Sequence, residues 1–170
     1  IDPVAAAKME PTNRRRIVRA LEVCEGSGRP FSSFGPGFEA HPETPVRLFG
    51  LWLPRPVVAQ RIEARYHQQM AEGFLDEVSR LLDGAPISHT AAQALGYREL
   101  LTHLRAVRRG ESHPTVGDAL DEAIRRTRQF ARRQRVWFRK DPRIAWVGAD
   151  SDPMVALAAL EAEAASLWDS

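Results

Sequence analysis

The segment RRTRQFARRQRVWFRK, from Arg125 to Lys140, carries eight basic residues and no acidic one. Arg128, Arg132, Arg135 and Arg139 recur at helical spacing on one face, with Arg126 and Arg133 on the other flank of an apolar stripe. A guanidinium is a rigid fork of donors that fits phosphate oxygens two at a time. Phe130 and Trp137 add aromatic surface, either for base stacking or for a core. By spacing alone the stretch is either a phosphate- or RNA-binding face or a solvated helix paired with acidic neighbours. Arg61 and Arg65, at i and i+4, either aim two cations at one anion or cover a helix flank. His67, His89, His103 and His113 show no ligand spacing with cysteines or acids, so no zinc site is expected. The chain contains no G-x-x-x-x-G-K-[ST], G-x-S-x-G or H-E-x-x-H pattern. From the residues alone no catalytic constellation is visible.

The elements that must carry these side chains are mostly helical. Asp2-Pro3 starts a short helix ended by Pro11, and Thr12 or Asn13 caps a second, RRRIVRALEVCEG, stopped by Gly26 and Gly28. Gly26 to Pro45 is rich in Gly, Pro and Ser, and is a linker or a functional loop. VRLFGLWLP is short and nearly all apolar, as expected of a strand buried on both faces. From Pro56, Val58, Ile62, Tyr66, Met70, Phe74 and Val78 recur every fourth residue, which predicts one long helix running past Leu82 to Gly84. TAAQALGYRELLTHLRAV predicts a helix with Gly96 inside it, and a further helix spans about Thr115 to Arg139. The strand RIAWVG follows, then a last helix from Asp152-Pro153 with Leu157, Leu160, Ala164 and Leu167 on one side.

The 170 residues, 44% apolar and 27% charged, suit one soluble globular domain. The net charge is only +2, yet the Arg125–Lys140 stretch takes eight of the 24 basic residues and none of the 22 acidic ones. A basic stripe on a mildly acidic body suggests a polyanion partner, nucleic acid first. No apolar run approaches the roughly 20 residues that cross a bilayer, and no signal peptide opens the chain. The start at Ile1 suggests a piece of something longer. A single cysteine, Cys24, is expected as a buried structural thiol and fits a reducing cytoplasm.

Three segments, in order, resemble one family. DPVAAAKMEPTNRRRIVRALEV resembles the DP-x-A-A helix, proline break and RI-x-RALEV helix of tRNA dimethylallyltransferases, the IPP transferase family. ALGYREL, with Gln93 just ahead, resembles its Q-A-I-G-Y-x-E-L, and TRQFARRQRVWFRK its T-R-x-x-A-x-R-Q-x-T-W-F-R. The helix QRIEARYHQQMAEGFLDEVSRLL falls between the first two, as in the family. Met9-Glu10-Pro11-Thr12-Asn13 departs from the usual I-H-P-N-D, and Val136 replaces a threonine.

The resemblance implies an α/β, mostly helical fold: the C-terminal part of a P-loop NTPase-like core plus part of a helical insertion domain. Residues 1–28 would belong to the tRNA-gripping insertion, 29–45 to a linker and 46–170 to the core. It implies transfer of a dimethylallyl group from dimethylallyl diphosphate to the exocyclic amine of the adenosine 3′ of the tRNA anticodon. The phosphate loop, the aspartate base and most Mg2+ ligands would lie in an N-terminal half outside this chain, leaving no catalytic residue here. Arg65 takes the position of the arginine that binds the donor's diphosphate, with Arg61 a weaker companion. Lys8, Met9, Glu10, Pro11 and Thr12 match one tRNA-contacting turn, and Thr90 and Gln93 fall in another. The resemblance places Arg128, Arg132 and Arg133 near the channel and core, either as tRNA contacts or in structural pairing. A cytoplasmic monomer when complete, and poor stability of the piece alone, are expected. A non-catalytic RNA-binding module is the alternative.

Overall fold

The computed structural model describes residues 1–35 and 41–165, without the side chain of Glu163. The chain forms two compact units, Ile1–Arg47 with Lys140–Arg143, and Leu48–Arg139 with the segment from Ile144 onward.

In the first unit, α1 (Pro3–Ala7) is capped by Asp2, whose carboxylate accepts from the Ala5 N–H at 3.0 Å. The same carboxylate accepts from the Ser32 N–H and hydroxyl at 2.7 and 2.9 Å, tying α1 to a 3-10 turn at Phe31–Ser33. These bonds, the Ser32 N–H foremost, hold the Asp2 carboxyl below its ordinary range. Helix α2 (Arg14–Ser27) is capped by Asn13 and ends at Gly28, which adopts the left-handed conformation that an L side chain resists. Cys24 is buried and accepts the Phe31 N–H at 3.3 Å, as a structural thiol would. The turn at Lys140–Arg143 is held by Asp141, which accepts three bonds from Arg143, one from its backbone N–H and two from its guanidinium, and sits 3.5 Å from His41.

In the second unit, β1 (Leu48–Trp52) and β2 (Ile144–Gly148) pair in parallel, Leu48 opposite Ile144 and Trp52 opposite Gly148. Gly50 lies under the Trp146 ring, and a Cβ there would come within 2.6 Å of it, so no side chain fits. Between the strands run α3 (Arg55–Ala71), α4 (Phe74–Asp83), α5 (Tyr97–Arg108) and α6 (Val116–Phe138), and α7 (Leu157–Ala165) follows β2. The core is Tyr66, Phe74, Val78, Leu100, Leu101, Ala119, Ala123 and Ile124, where α3 and α5 pack on α6 and α4 packs on α5. Burying a leucine such as Leu100 contributes about 1.5–3 kcal/mol. The fold is α/β and mostly helical, as expected.

Four local expectations are corrected. The long helix from Pro56 breaks at Gly73, where φ is +95°, into α3 and α4. The helix through Gly96 begins only at Tyr97, because Gly96 at φ +87° is its first cap and Ala94 is extended. β1 is half-buried with Leu51 exposed, rather than enclosed on both faces, since its sheet has two strands among the described residues. On α6 the expected inner face is buried at Ala123 and half-buried at Leu120, Thr127 and Ala131, but Val116, Gln134 and Phe138 are exposed. Leu167, expected on the last helix, lies outside the described residues.

Candidate functional site

Helix α3 turns its apolar positions, Ile62, Tyr66 and Met70, toward the core, which leaves Arg61 and Arg65 on the solvent side. The two do not share a site. Arg65 lines an open cleft of about 450 Å³ with Tyr66, Phe74, Arg80 and Tyr97, and Arg61 is not among the lining residues. The Tyr97 ring packs edge-on against Phe74 at 5.0 Å, and its hydroxyl donates to Glu77 at 2.6 Å. That bond to a carboxylate, with some burial, raises the Tyr97 pKa. Thr127 Oγ1 donates to the Ala123 carbonyl at 2.8 Å, so Tyr66 OH is the donor in its 3.0 Å bond to Thr127. Burial pushes the Tyr66 phenol up. The cleft therefore combines two guanidiniums, carboxylates of Glu72 and Glu77, and aromatic walls: a place for an anionic head beside an apolar tail.

Thr90 and Gln93 are exposed on a 3-10 turn, Ala91–Gln93, held by Ser88, whose hydroxyl accepts the Ala91 N–H at 3.2 Å. The turn leads into Gly96, whose N–H donates to Glu99 Oε2 at 2.9 Å. Glu99 is buried, and Arg126 Nη1 approaches its other oxygen to 3.3 Å.

Helix α6 divides its arginines between structure and surface. Arg128 donates to Glu63 at 2.6 Å and reaches the Ala59 carbonyl, so it is already engaged. Arg125 and Arg126 clasp Glu122, and their hydrogen bonds pull its pKa down to about 2. Arg132 and Arg133 make no ion pair among the described residues; Arg132 lines a second cleft of about 470 Å³ with Arg125 and Arg128, and Arg133 lies 6.0 Å from the Phe130 ring. Phe130 and Trp137 are both substantially exposed among the described residues. Trp52, whose ring no sequence motif marks, ends β1. Arg135 stacks 3.2 Å from its ring centroid and Arg139 lies 5.3 Å from it. Burial first, then the charges of Arg55 and Arg139, push the Arg135 guanidinium below its ordinary value, and its Nε has no hydrogen-bond partner. Cations gathered without acids at the end of parallel strands favour phosphate oxygens.

In the first unit, Lys8 caps α1 and Met9 is half-buried, while Glu10, Pro11 and Thr12 are exposed in a turn closed by the Asn13 N–H on the Glu10 carbonyl at 3.0 Å. Among the described residues no three His, Cys, Asp or Glu side chains converge as metal ligands would. No described helix is long and apolar enough to cross a membrane.

Residues 1–141 match the family model described as IPP transferase. The chain is 43% identical to a tRNA dimethylallyltransferase of Nocardioides over 98% of its own length and 52% of the relative's. It is 39% identical to that of Carboxydothermus hydrogenoformans over 91% of its length and 48% of the relative's. The crystal structure of the tRNA isopentenylpyrophosphate transferase of Bacillus halodurans superposes with a TM-score of 0.58 at 30% identity, over 99% of this chain and 52% of that one. The enzyme of Staphylococcus epidermidis gives the same TM-score at 24% identity, a likeness of fold. The chain thus spans about half the length of the curated relatives it matches.

Proposed function

This chain belongs to the IPP transferase family, and from that premise we propose that it is the C-terminal part of a tRNA dimethylallyltransferase. The carrying observation is Arg65, exposed on a cleft that also offers Tyr66, Phe74 and Tyr97. A guanidinium fork beside aromatic walls suits a prenyl diphosphate. In this reading the exocyclic amine of the target adenosine bonds to the allylic carbon, and the carbon–oxygen bond to diphosphate breaks. The amine proton goes to a base in the N-terminal half, and Arg65 takes up negative charge developing on the leaving diphosphate. Arg61, one turn away, adds field rather than contact. The magnesium that accompanies a diphosphate would neutralise charge there, with ligands from outside the described residues.

Residues 1–28 are assigned to the tRNA-gripping insertion, 29–45 to a linker and 46–170 to the P-loop-like core. The turn Lys8–Thr12, with Thr90 and Gln93, would contact the anticodon stem-loop. On α6, Arg132 and Arg133 are better placed than Arg128 to take RNA phosphates, because Arg128 must first leave Glu63.

The test is Arg65→Ala in the complete enzyme, with turnover and tRNA affinity measured together. Removing a donor to developing charge costs on the order of 10²–10³ in turnover, and tRNA affinity should barely change. Equal loss of both would refute the diphosphate assignment. Salt-sensitive RNA binding with no transfer in the wild type would favour a non-catalytic binding module.

A further inference from the structure

Glu99 is buried, and nothing in the chemistry above uses it. Its two carboxylate oxygens face two different elements. Oε2 accepts the Gly96 N–H, the end of the turn that carries Thr90 and Gln93. Oε1 has no hydrogen bond among the described residues, and Nη1 of Arg126 on α6 approaches it to 3.3 Å. Arg126 is anchored in turn, its Nε donating to Glu122 at 2.8 Å. The next two residues of α6 hold α3: Thr127 accepts from Tyr66, and Arg128 donates to Glu63. Three consecutive residues, 126 to 128, therefore fix both the entrance to α5 and the helix that bears Arg65.

A charge is expensive to bury, and a buried one is kept in place by its partners. Gly96 has no slack of its own, since any Cβ would meet the Tyr66 and Phe74 rings at 3.1 Å. We propose that Glu99 is a positioning residue, which sets the Thr90–Gly96 segment in register with Arg126 on α6 and so with the face of α3 that carries Arg65. The inference rests on the reading of Thr90 and Gln93 as tRNA contacts and of Arg65 as the diphosphate ligand. Glu99 itself touches neither substrate.

The side chain's two jobs can be separated. Glu99→Gln keeps one oxygen: if it serves the Gly96 N–H, an amide N–H₂ is left facing the Arg126 guanidinium, donor against donor. One of the two links is lost in either orientation. In the complete enzyme, E99Q is expected to raise the KM for tRNA about tenfold, the factor that one lost hydrogen bond to a charged group is worth. The KM for dimethylallyl diphosphate and kcat should stay close to wild type. R126K, which keeps a cation of shorter reach, should raise the same parameter less. An unchanged tRNA KM in folded E99Q overturns the proposal, as does a fall in kcat alone that tracks the folded fraction. If E99Q does not fold, R126K decides: an unchanged tRNA KM overturns, a raised one supports. A wild type that transfers nothing sinks the functional reading and this inference with it; an active wild type with unchanged variants sinks only the inference.

Discussion

Replacing Gly96 with alanine imposes two separate costs. The first is conformational: at φ +87° and ψ −53° an L side chain is strained by about 1–3 kcal/mol. The second is steric. The new methyl would lie 3.1 Å from carbons of both Tyr66 and Phe74, core rings that cannot both withdraw, and overpacking of this kind costs about 1–3 kcal/mol. Gly96→Ala is thus expected to destabilise the second unit by about 2–6 kcal/mol. Gly110 isolates the second cost. Its φ is +76°, but a Cβ there meets nothing within 4 Å, so Gly110→Ala bears the backbone strain alone. Urea unfolding followed by far-UV circular dichroism measures both. Gly96→Ala should be the more destabilising of the two by at least the ring contact, about 1–3 kcal/mol. Phe74→Leu in the Gly96→Ala background should recover part of it, as contacting residues couple. Equal destabilisation by the two alanines would refute the claim that the rings fix the turn.

Leu101→Ala should cost about 2–5 kcal/mol, because Leu101 is 1% exposed in the core, whereas exposed Leu81→Ala should stay within about 0.5 kcal/mol by the same titration. Glu122 is held near 2 when folded, below its unfolded value. Between those values the unfolded chain binds the extra proton, so the contribution of Glu122 is complete above about pH 4.5 and is lost as pH falls toward 2. Glu122→Gln should flatten that part of an acid-unfolding curve, and an unaltered curve would show that the two arginines do not hold the carboxylate in solution.

Helices were legible in the sequence where one period ran uninterrupted. The apolar spacing from Thr115 to Arg139 locates α6, Val116–Phe138, almost to the residue, and the structure adds a capping box of Thr115 and Asp118 at its start. Met70 and Phe74 preserve the four-residue rhythm across Gly73, and that rhythm outweighed the glycine, although a positive φ breaks the helix there. Gly96 misled in the same way. Arg65 could be proposed because motif and helix flank agree, and the cleft beside it is consistent with that. The pairing of Glu99 with Arg126 and the Tyr66–Thr127 bond are not legible, because they join residues far apart in sequence whose types are ordinary alone. The stacking of Arg135 on Trp52 is equally non-local, and Trp52 had been absorbed into an apolar strand.

The parallel pairing of β1 with β2 also sets an order of events during synthesis. Leu48 is made about a hundred residues before its partner Ile144, a wait of roughly 5–20 s at ordinary elongation rates. For that interval LFGLW is an apolar strand without β2, the partner it has among the described residues, and such a segment can pair with the wrong chain. Its flanks bear the residues that discourage this: Pro45 and Arg47 before it, Pro54 and Arg55 after it, prolines that cannot donate to a ladder and cations that repel a second copy. The helices made in the meantime bring the ends together cheaply, since doubling a connection costs only about 0.6 kcal/mol in closure entropy. The β1–β2 pair can therefore form only after α3 to α6 have been made, with gatekeepers standing over its first strand until then.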